Sequence, residues 1–106
     1  MSPLGLLYLL AAALAVALGV AHSFLGEKYI LIRLFRRSDL PKLFGGTEFT
    51  IRTLRFAWHL TSVAWCGAAA LLFLLAQGPL SSAAVSGVLA AVFLAIGFIA
   101  LYGAQA

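Results

Sequence analysis

The chain has 106 residues, of which 64% are hydrophobic and 9% are charged, and its formal net charge is +4. Soluble domains contain about one half apolar and about one quarter charged residues, so this composition excludes an ordinary soluble domain and predicts an all-α integral membrane protein. Three spans of about 20 apolar residues would use more than half of the chain, which therefore has room for a single transmembrane domain over residues 1–106.

The charged side chains are confined to the middle of the chain. All seven cations and all three acids fall between residues 27 and 55, and both flanks are formally neutral. The flanks can enter hydrocarbon without burying a charge, whereas the middle must stay in water or among headgroups. The positive-inside bias then predicts a cytoplasmic loop at about residues 26–51, most simply in a bacterial inner membrane.

The first predicted span covers residues 3–25. Ser2 and Pro3 are a suitable N-cap and first helical residue. No Lys or Arg precedes the apolar run, which disfavours a cleaved secretory signal. We therefore expect the N-terminus to lie outside the cell.

The segment "GEKYILIRLFRR", residues 26–37, predicts an amphipathic helix lying in the membrane interface. Arg33, Arg36 and Arg37 share one arc of a helical wheel, and the apolar residues share the opposite arc. These arginines are predicted to bind anionic lipid headgroups. A simpler interpretation is that they only set the topology.

Two further spans are predicted at about residues 52–76 and 82–103. "AQGPLSS", residues 76–82, supplies a glycine at a helix end, a proline beyond it and a serine at the next N-cap. The C-terminus is then cytoplasmic, and the whole domain is a three-helix bundle.

Small residues recur at four-residue spacing on each span and predict where the helices pack, because backbones approach closely only where side chains are small. The stripes are Ala11, Ala15, Gly19 and Ser23 on the first span; Ala57, Thr61, Ala64 and Ala68 on the second; and Ala83, Gly87, Ala91 and Ala95 on the third. An uncharged third span with such a stripe predicts a homo-oligomer or a place in a larger membrane complex. A polar stripe of Arg52, Arg55, His59, Ser62 and Cys66 is expected to face away from the small residues of the second span.

The only two histidines, His22 and His59, are expected at the same depth on neighbouring helices. They stand about 7 Å and about 6 Å above the cytoplasmic charges at 1.5 Å per residue. Two imidazoles at matched depth could hold a haem b iron or a transition metal ion, with Arg52 and Arg55 placed for the haem propionates. The alternatives are a structural pair that hydrogen-bonds Ser23 and Ser62, or a site for protons, lipids or another ligand.

These patterns favour a non-enzymatic membrane component, a homo-oligomer or an accessory subunit. One alternative is a haem- or metal-binding redox protein that uses His22 and His59, and another is a minimal transporter or channel. Every cation is membrane-adjacent, so lipid rather than nucleic acid explains the basic charge. The single Cys66 excludes an internal disulfide.

Overall fold

The structure, a computed structural model, describes the backbone of residues 2–105 and the side chains of residues 2–102. Its elements are α1 (Pro3–Leu25), a π-helical turn (Gly26–Leu31), α2 (Ile32–Phe35), α3 (Glu48–Gln77) and α4 (Ser82–Gln105). Three helical stretches, Pro3–Phe35, Glu48–Gln77 and Ser82–Tyr102, are long and apolar enough to cross a membrane. The prediction of an all-helical chain with three such helices is confirmed.

The helix ends follow from local chemistry. Ser2 Oγ accepts a hydrogen bond from the Gly5 N–H at 3.0 Å, and Pro3 occupies the first turn of α1. Further along the chain, α3 ends at Gln77. The next residue, Gly78, adopts φ 153°, a conformation that only glycine takes readily. Ser81 Oγ then accepts a hydrogen bond from the Ala84 N–H at 3.0 Å and caps the start of α4.

The first helix does not end at the membrane-adjacent charges. The π-helical turn and α2 continue it to Phe35, giving 33 helical residues in succession. At 1.5 Å per residue this is about 50 Å, well beyond the thickness of hydrocarbon, which is about 30 Å. The loop that follows is tied to α3 by the buried Thr50, whose hydroxyl donates to the Pro41 carbonyl at 2.7 Å.

The main helix contact joins α1 to α3. Four of the buried residues of α1 and its extension, Gly5, Ala12, Gly19 and Gly26, each stand seven residues after the one before, and Leu31 of the extension is buried as well. A seven-residue repeat keeps one seam of a helix facing its partner helix when the two wind around each other in a left-handed supercoil. A Cβ added to Gly19 would lie 3.4 Å from the Ser62 carbonyl oxygen, so the two backbones approach closely there.

The small-residue stripe predicted on the first span lies at this contact, since Gly19 and Ser23 face α3 and no member of the stripe is exposed, but the stripe predicted on α3 does not. On α3 it is Ser62, Gly67 and Ala69 that are buried, whereas Ala57, Ala64 and Ala68 are exposed and Thr61 is half-buried. Three members of the polar stripe, Arg55, His59 and Ser62, thus contact the first helix instead of pointing away from it, whereas Arg52 pairs with Glu48 of α3. The physical reason is that polar side chains on both helices find their hydrogen-bond partners only by facing each other.

The last helix packs on α3 over a smaller area. Gly67 admits Val92 of α4, and a Cβ at Gly67 would overlap the Val92 Cγ2 methyl group. On α4, no residue is buried between Ser82 and Tyr102. Its predicted stripe is mostly exposed, since Ala83, Gly87 and Ala91 are open and Ala95 is half-buried.

Candidate functional site at the contact of α1 and α3

Two reciprocal hydrogen bonds join α1 and α3 at His22 and Trp58. His22 Nε2 donates to the Trp58 carbonyl oxygen at 3.1 Å, and Trp58 Nε1 donates to the His22 carbonyl oxygen at 2.8 Å. The two rings are stacked, with centroids 4.4 Å apart and planes 5° from parallel. Trp65, two turns further along α3, meets the imidazole edge-on at 5.0 Å. The His22 ring is therefore enclosed by indoles.

Gly26 makes this arrangement possible. A Cβ at Gly26 would overlap Nε1 and Cε2 of Trp58 and lie 2.6 Å from its Cζ2 atom. Only a residue without a side chain lets the indole lie flat against the helix at this point. Gly26 also begins the π-helical turn, a local widening that is frequent at functional sites.

Next to the stacked rings runs a chain of hydrogen bonds that we call the Glu27 network. It consists of Glu27, Arg55, His59, Ser23 and Ser62. Arg55 Nη2 lies 2.6 Å from Glu27 Oε1, and His59 Nε2 lies 2.9 Å from Glu27 Oε2. The other ring nitrogen of His59 lies 2.8 Å from Ser23 Oγ, which in turn lies 2.6 Å from Ser62 Oγ. The network runs without a break from the charged end of the helices to the buried Ser62.

The proton positions in the network follow from its acceptors. A carboxylate only accepts, so the Nε2–H of His59 donates to Glu27. With a neutral imidazole, Nδ1 accepts the Ser23 hydroxyl proton, and Ser62 donates to Ser23. With an imidazolium, Nδ1 donates to Ser23, and Ser23 donates to Ser62. Both arrangements satisfy every member, and they differ in the direction in which the two hydroxyl groups point.

Helical spacing explains why these residues meet. Ser23 and Glu27 are four residues apart on the first helix, as are Arg55 and His59 on α3, so each pair occupies one face of its helix. In the described part of the chain no buried side-chain nitrogen or oxygen lacks a hydrogen-bond partner. The α1–α3 contact is therefore a fully satisfied polar cluster.

The structure brings together some of the predicted site residues and separates others. His22 and His59 both lie at the α1–α3 contact, and Arg55 reaches the same cluster through Glu27. Arg52 instead pairs with Glu48 at 2.6 Å, four residues earlier on α3. The predicted lipid-binding residues are all solvent-exposed: Arg33, Arg36 and Arg37.

Arg37 belongs to the loop after α2. It forms a two-pronged ion pair with Asp39, with N···O distances of 2.8 and 2.7 Å. The hydrogen bonds from Arg37 hold the pKa of the Asp39 carboxyl below its ordinary value. This pair is local and does not contact the Glu27 network.

The arrangement of the two histidines does not fit a haem iron or a metal ion held between them. An axial imidazole must turn a ring nitrogen toward the metal, but both nitrogens of His59 are engaged by Ser23 and Glu27, and the Nε2 of His22 donates to Trp58. Among the described residues, no three His, Cys, Asp or Glu side chains are grouped as a metal site. Of the predicted hydrogen bonds to serines, the structure has the one between His59 and Ser23, whereas Ser62 bonds Ser23 and His22 bonds the Trp58 carbonyl.

Sequence reasoning missed the contribution of Glu27. Neither Glu27 nor Trp58 was among the predicted site residues. Glu27 could have been found from its four-residue spacing to Ser23, which matches the spacing of Arg55 and His59 on the neighbouring helix. No comparable pattern indicated that Trp58 would stack on His22.

No protein family, curated protein or solved structure matches this chain.

Proposed function

We propose that the chain is a non-enzymatic component of a bacterial inner membrane that acts by associating with copies of itself or with larger subunits. Its N-terminus would lie outside and its C-terminus in the cytoplasm. The segment from Gly26 to Phe35 would reach the cytoplasmic interface, where Arg33 and Arg36 attract anionic headgroups.

The observation that carries this proposal is the one-sided packing of α4. The helix is anchored to α3 through Val92 and leaves its other faces open. Small residues occupy part of that open surface, and a Cβ at Gly87 would meet no atom within 4 Å. In lipid, helices associate where small side chains let their backbones approach, because lipid tails are as apolar as leucine.

The Glu27 network supports a structural role for the rest of the molecule. It joins α1 to α3 and makes them a unit to which α4 is attached. A component that presents one helix to a partner needs such a fixed support. This assigns the polar residues to holding the helices, and α4 to contacting the partner.

The test is the mass of the protein in detergent and its cross-linking in membranes. Gly87→Leu is expected to lower the oligomeric fraction, because it fills the surface where a neighbouring backbone would approach. Ala17→Leu adds a similar volume to an exposed position on α1 and should leave association unchanged. A monomeric wild-type chain that captures no subunit in its native membrane would overturn the proposal.

The visible absorption spectrum of the same preparation tests the haem alternative. A Soret band that disappears in both His22→Gln and His59→Gln would favour the redox function over association. Association that survives both substitutions, with no such band, is the expected result.

A further inference from the structure

A cleft of about 620 Å³ lies between the first turns of α3 and the last turns of α4. Phe56 and Ile99 supply apolar walls. The polar lining consists of Thr47, Glu48, Arg52, Arg55, His59 and Tyr102, so one carboxylate stands beside the two guanidinium groups. The volume is within the range of about 300–1,000 Å³ that is typical of sites for small molecules. A pocket with cations at one end and hydrocarbon along its sides has the polarity of an acidic amphiphile.

A second cleft of about 620 Å³ adjoins the first and shares Arg52 and Phe56 with it. Its other walls include the aromatic rings of Phe44 and Phe49 and the side chain of Leu43, and Glu48 lines it as well. Arg52 thus stands between Arg55 on one side and the aromatic rings on the other, with Glu48 lining both clefts. A ligand that fills both needs a compact anionic group and an extended apolar part.

The turn beside the second cleft holds an unusual residue. Phe44 has φ 56° and Gly45 has φ 89°, in a tight turn closed by hydrogen bonds between Leu43 and Gly46 at 2.8 and 3.4 Å. Such turns favour Asn or Gly, and a bulky residue with positive φ is strained. The Phe44 ring is 90% exposed and touches Phe49 at a centroid distance of 5.0 Å. The turn therefore holds an aromatic ring at the surface at an energetic cost.

We propose that these two clefts bind one anionic membrane phospholipid. Its phosphate lies at Arg52 within reach of Arg55 and Tyr102, and its acyl chains cover Phe56 and Phe44. Basic pockets between membrane helices on the cytoplasmic side are known sites for anionic headgroups. The inference rests on the proposed membrane location but does not require that the chain oligomerise.

Arg52 and Arg55 already pair with carboxylates, so the lipid must compete with these. The Arg52–Glu48 ion pair competes less with the lipid than the Arg55–Glu27 pair does, because the Glu48 side chain is 76% exposed and exposed ion pairs contribute little free energy. A guanidinium offers five N–H donors in a planar fork that suits phosphate oxygens. Glu48 is thus a negative competitor for the headgroup, and removing its charge should strengthen lipid binding.

The experiment titrates the detergent-purified full chain with phosphatidylglycerol or with phosphatidylcholine of identical acyl chains and counts bound lipid by native mass spectrometry. Phosphatidylglycerol should bind at least about 10-fold more tightly, the effect of one charge-assisted contact. Arg52→Gln should remove about that factor, and Arg52→Lys should restore part of it.

Matched variants separate this site from general charge effects. Glu48→Gln should tighten lipid binding several-fold, roughly the effect of one released contact, whereas Asp39→Asn, which changes the net charge equally, should not. Lys28→Gln removes the same charge as Arg52→Gln from an exposed position outside the clefts and should leave binding unchanged. Far-UV circular dichroism checks that each variant keeps its helices.

Phe44→Gly tests the turn. It should raise the melting temperature by relieving strain and at the same time weaken lipid binding, a combination that a purely structural residue would not give.

Three results would overturn the proposal. Equal binding of the two lipids would mean an apolar groove without headgroup recognition. An equal effect of Lys28→Gln and Arg52→Gln would mean a diffuse basic surface. Displacement of the lipid by millimolar inorganic phosphate would mean a site for a soluble anion. The number of chains in the same spectra reports oligomerisation separately, so a failure of either idea is distinguishable from a failure of the other.

Discussion

Gly26→Ala is the most direct test of the contact between α1 and α3. The new methyl group would overlap the Trp58 indole, so the ring must leave its position against the helix. This removes the hydrogen bond to the His22 carbonyl oxygen and the stack of the two rings at 4.4 Å. Because the indole has no alternative place that keeps both contacts, we expect a loss of stability.

The magnitude follows from the separate effects. A hydrogen bond contributes about 1 kcal/mol, an aromatic stack about 1 kcal/mol, and overpacking costs about 2 kcal/mol. Replacing a helical glycine by alanine stabilises the helix by about 1 kcal/mol. The free energy of unfolding should therefore fall by about 3 kcal/mol, the net of these effects.

Reversible unfolding in mixed detergent micelles, followed by far-UV circular dichroism, measures this change. Tryptophan fluorescence should shift as well, because Trp58 moves. The control is Gly97→Ala, where a Cβ would meet no atom within 4 Å, so its stability should stay the same or rise slightly. A Gly26→Ala protein with wild-type stability and fluorescence would refute the close approach of Trp58 to the helix.

Three further predictions concern other contacts. Ser62→Ala should lower the free energy of unfolding by about 1 kcal/mol, because it leaves the Ser23 hydroxyl one partner short; an unchanged value in the same unfolding assay would contradict this bond. Gly67→Ala should loosen α4 from α3, as measured by cysteine cross-linking between the two helices, and the added substitution Val92→Ala should restore their contact; no rescue would mean that the two do not touch. The neighbouring Arg37 guanidinium lowers the pKa of the Asp39 carboxyl. The ion pair therefore stabilises the fold at pH values above the pKa of this carboxyl in the unfolded chain, and this stabilisation is lost as the pH falls through the lowered pKa. NMR titration of the Asp39 carboxyl should give a midpoint below that of an isolated aspartate.

Composition and helix-breaking residues were enough to predict three apolar helices. Each helix is long, and the breaks between them carry strong signals, such as Gly78 followed by Pro79. The start of α3 was predicted too late: the structure begins the helix at Glu48, whereas the prediction placed it at about residue 52. Glu48 and Arg52 form an ion pair between positions four apart at the start of α3. The helix therefore begins with charged residues, ahead of its apolar part.

The packing of the helices was harder to predict than their existence. Residue size alone favoured the alanine stripe of α3, but Ser62 and His59 need hydrogen-bond partners, and that need decides which face meets α1. The partner residues, Ser23 and Glu27, stand more than 30 positions earlier in the chain. A helical wheel treats one helix at a time, so it could not reveal that the two polar faces match.

The bonds between α1 and α3 also have a consequence for biosynthesis. If the chain inserts into a bilayer as proposed, the ribosome delivers His22 and Ser23 there well before their partners on α3 have been made. Until then, the imidazole and the hydroxyl must be hydrated or held by the insertion machinery, because lipid offers them no acceptor. The two-helix hairpin, and not the first helix, is thus the smallest piece of this protein that can be released into lipid with its polar groups satisfied.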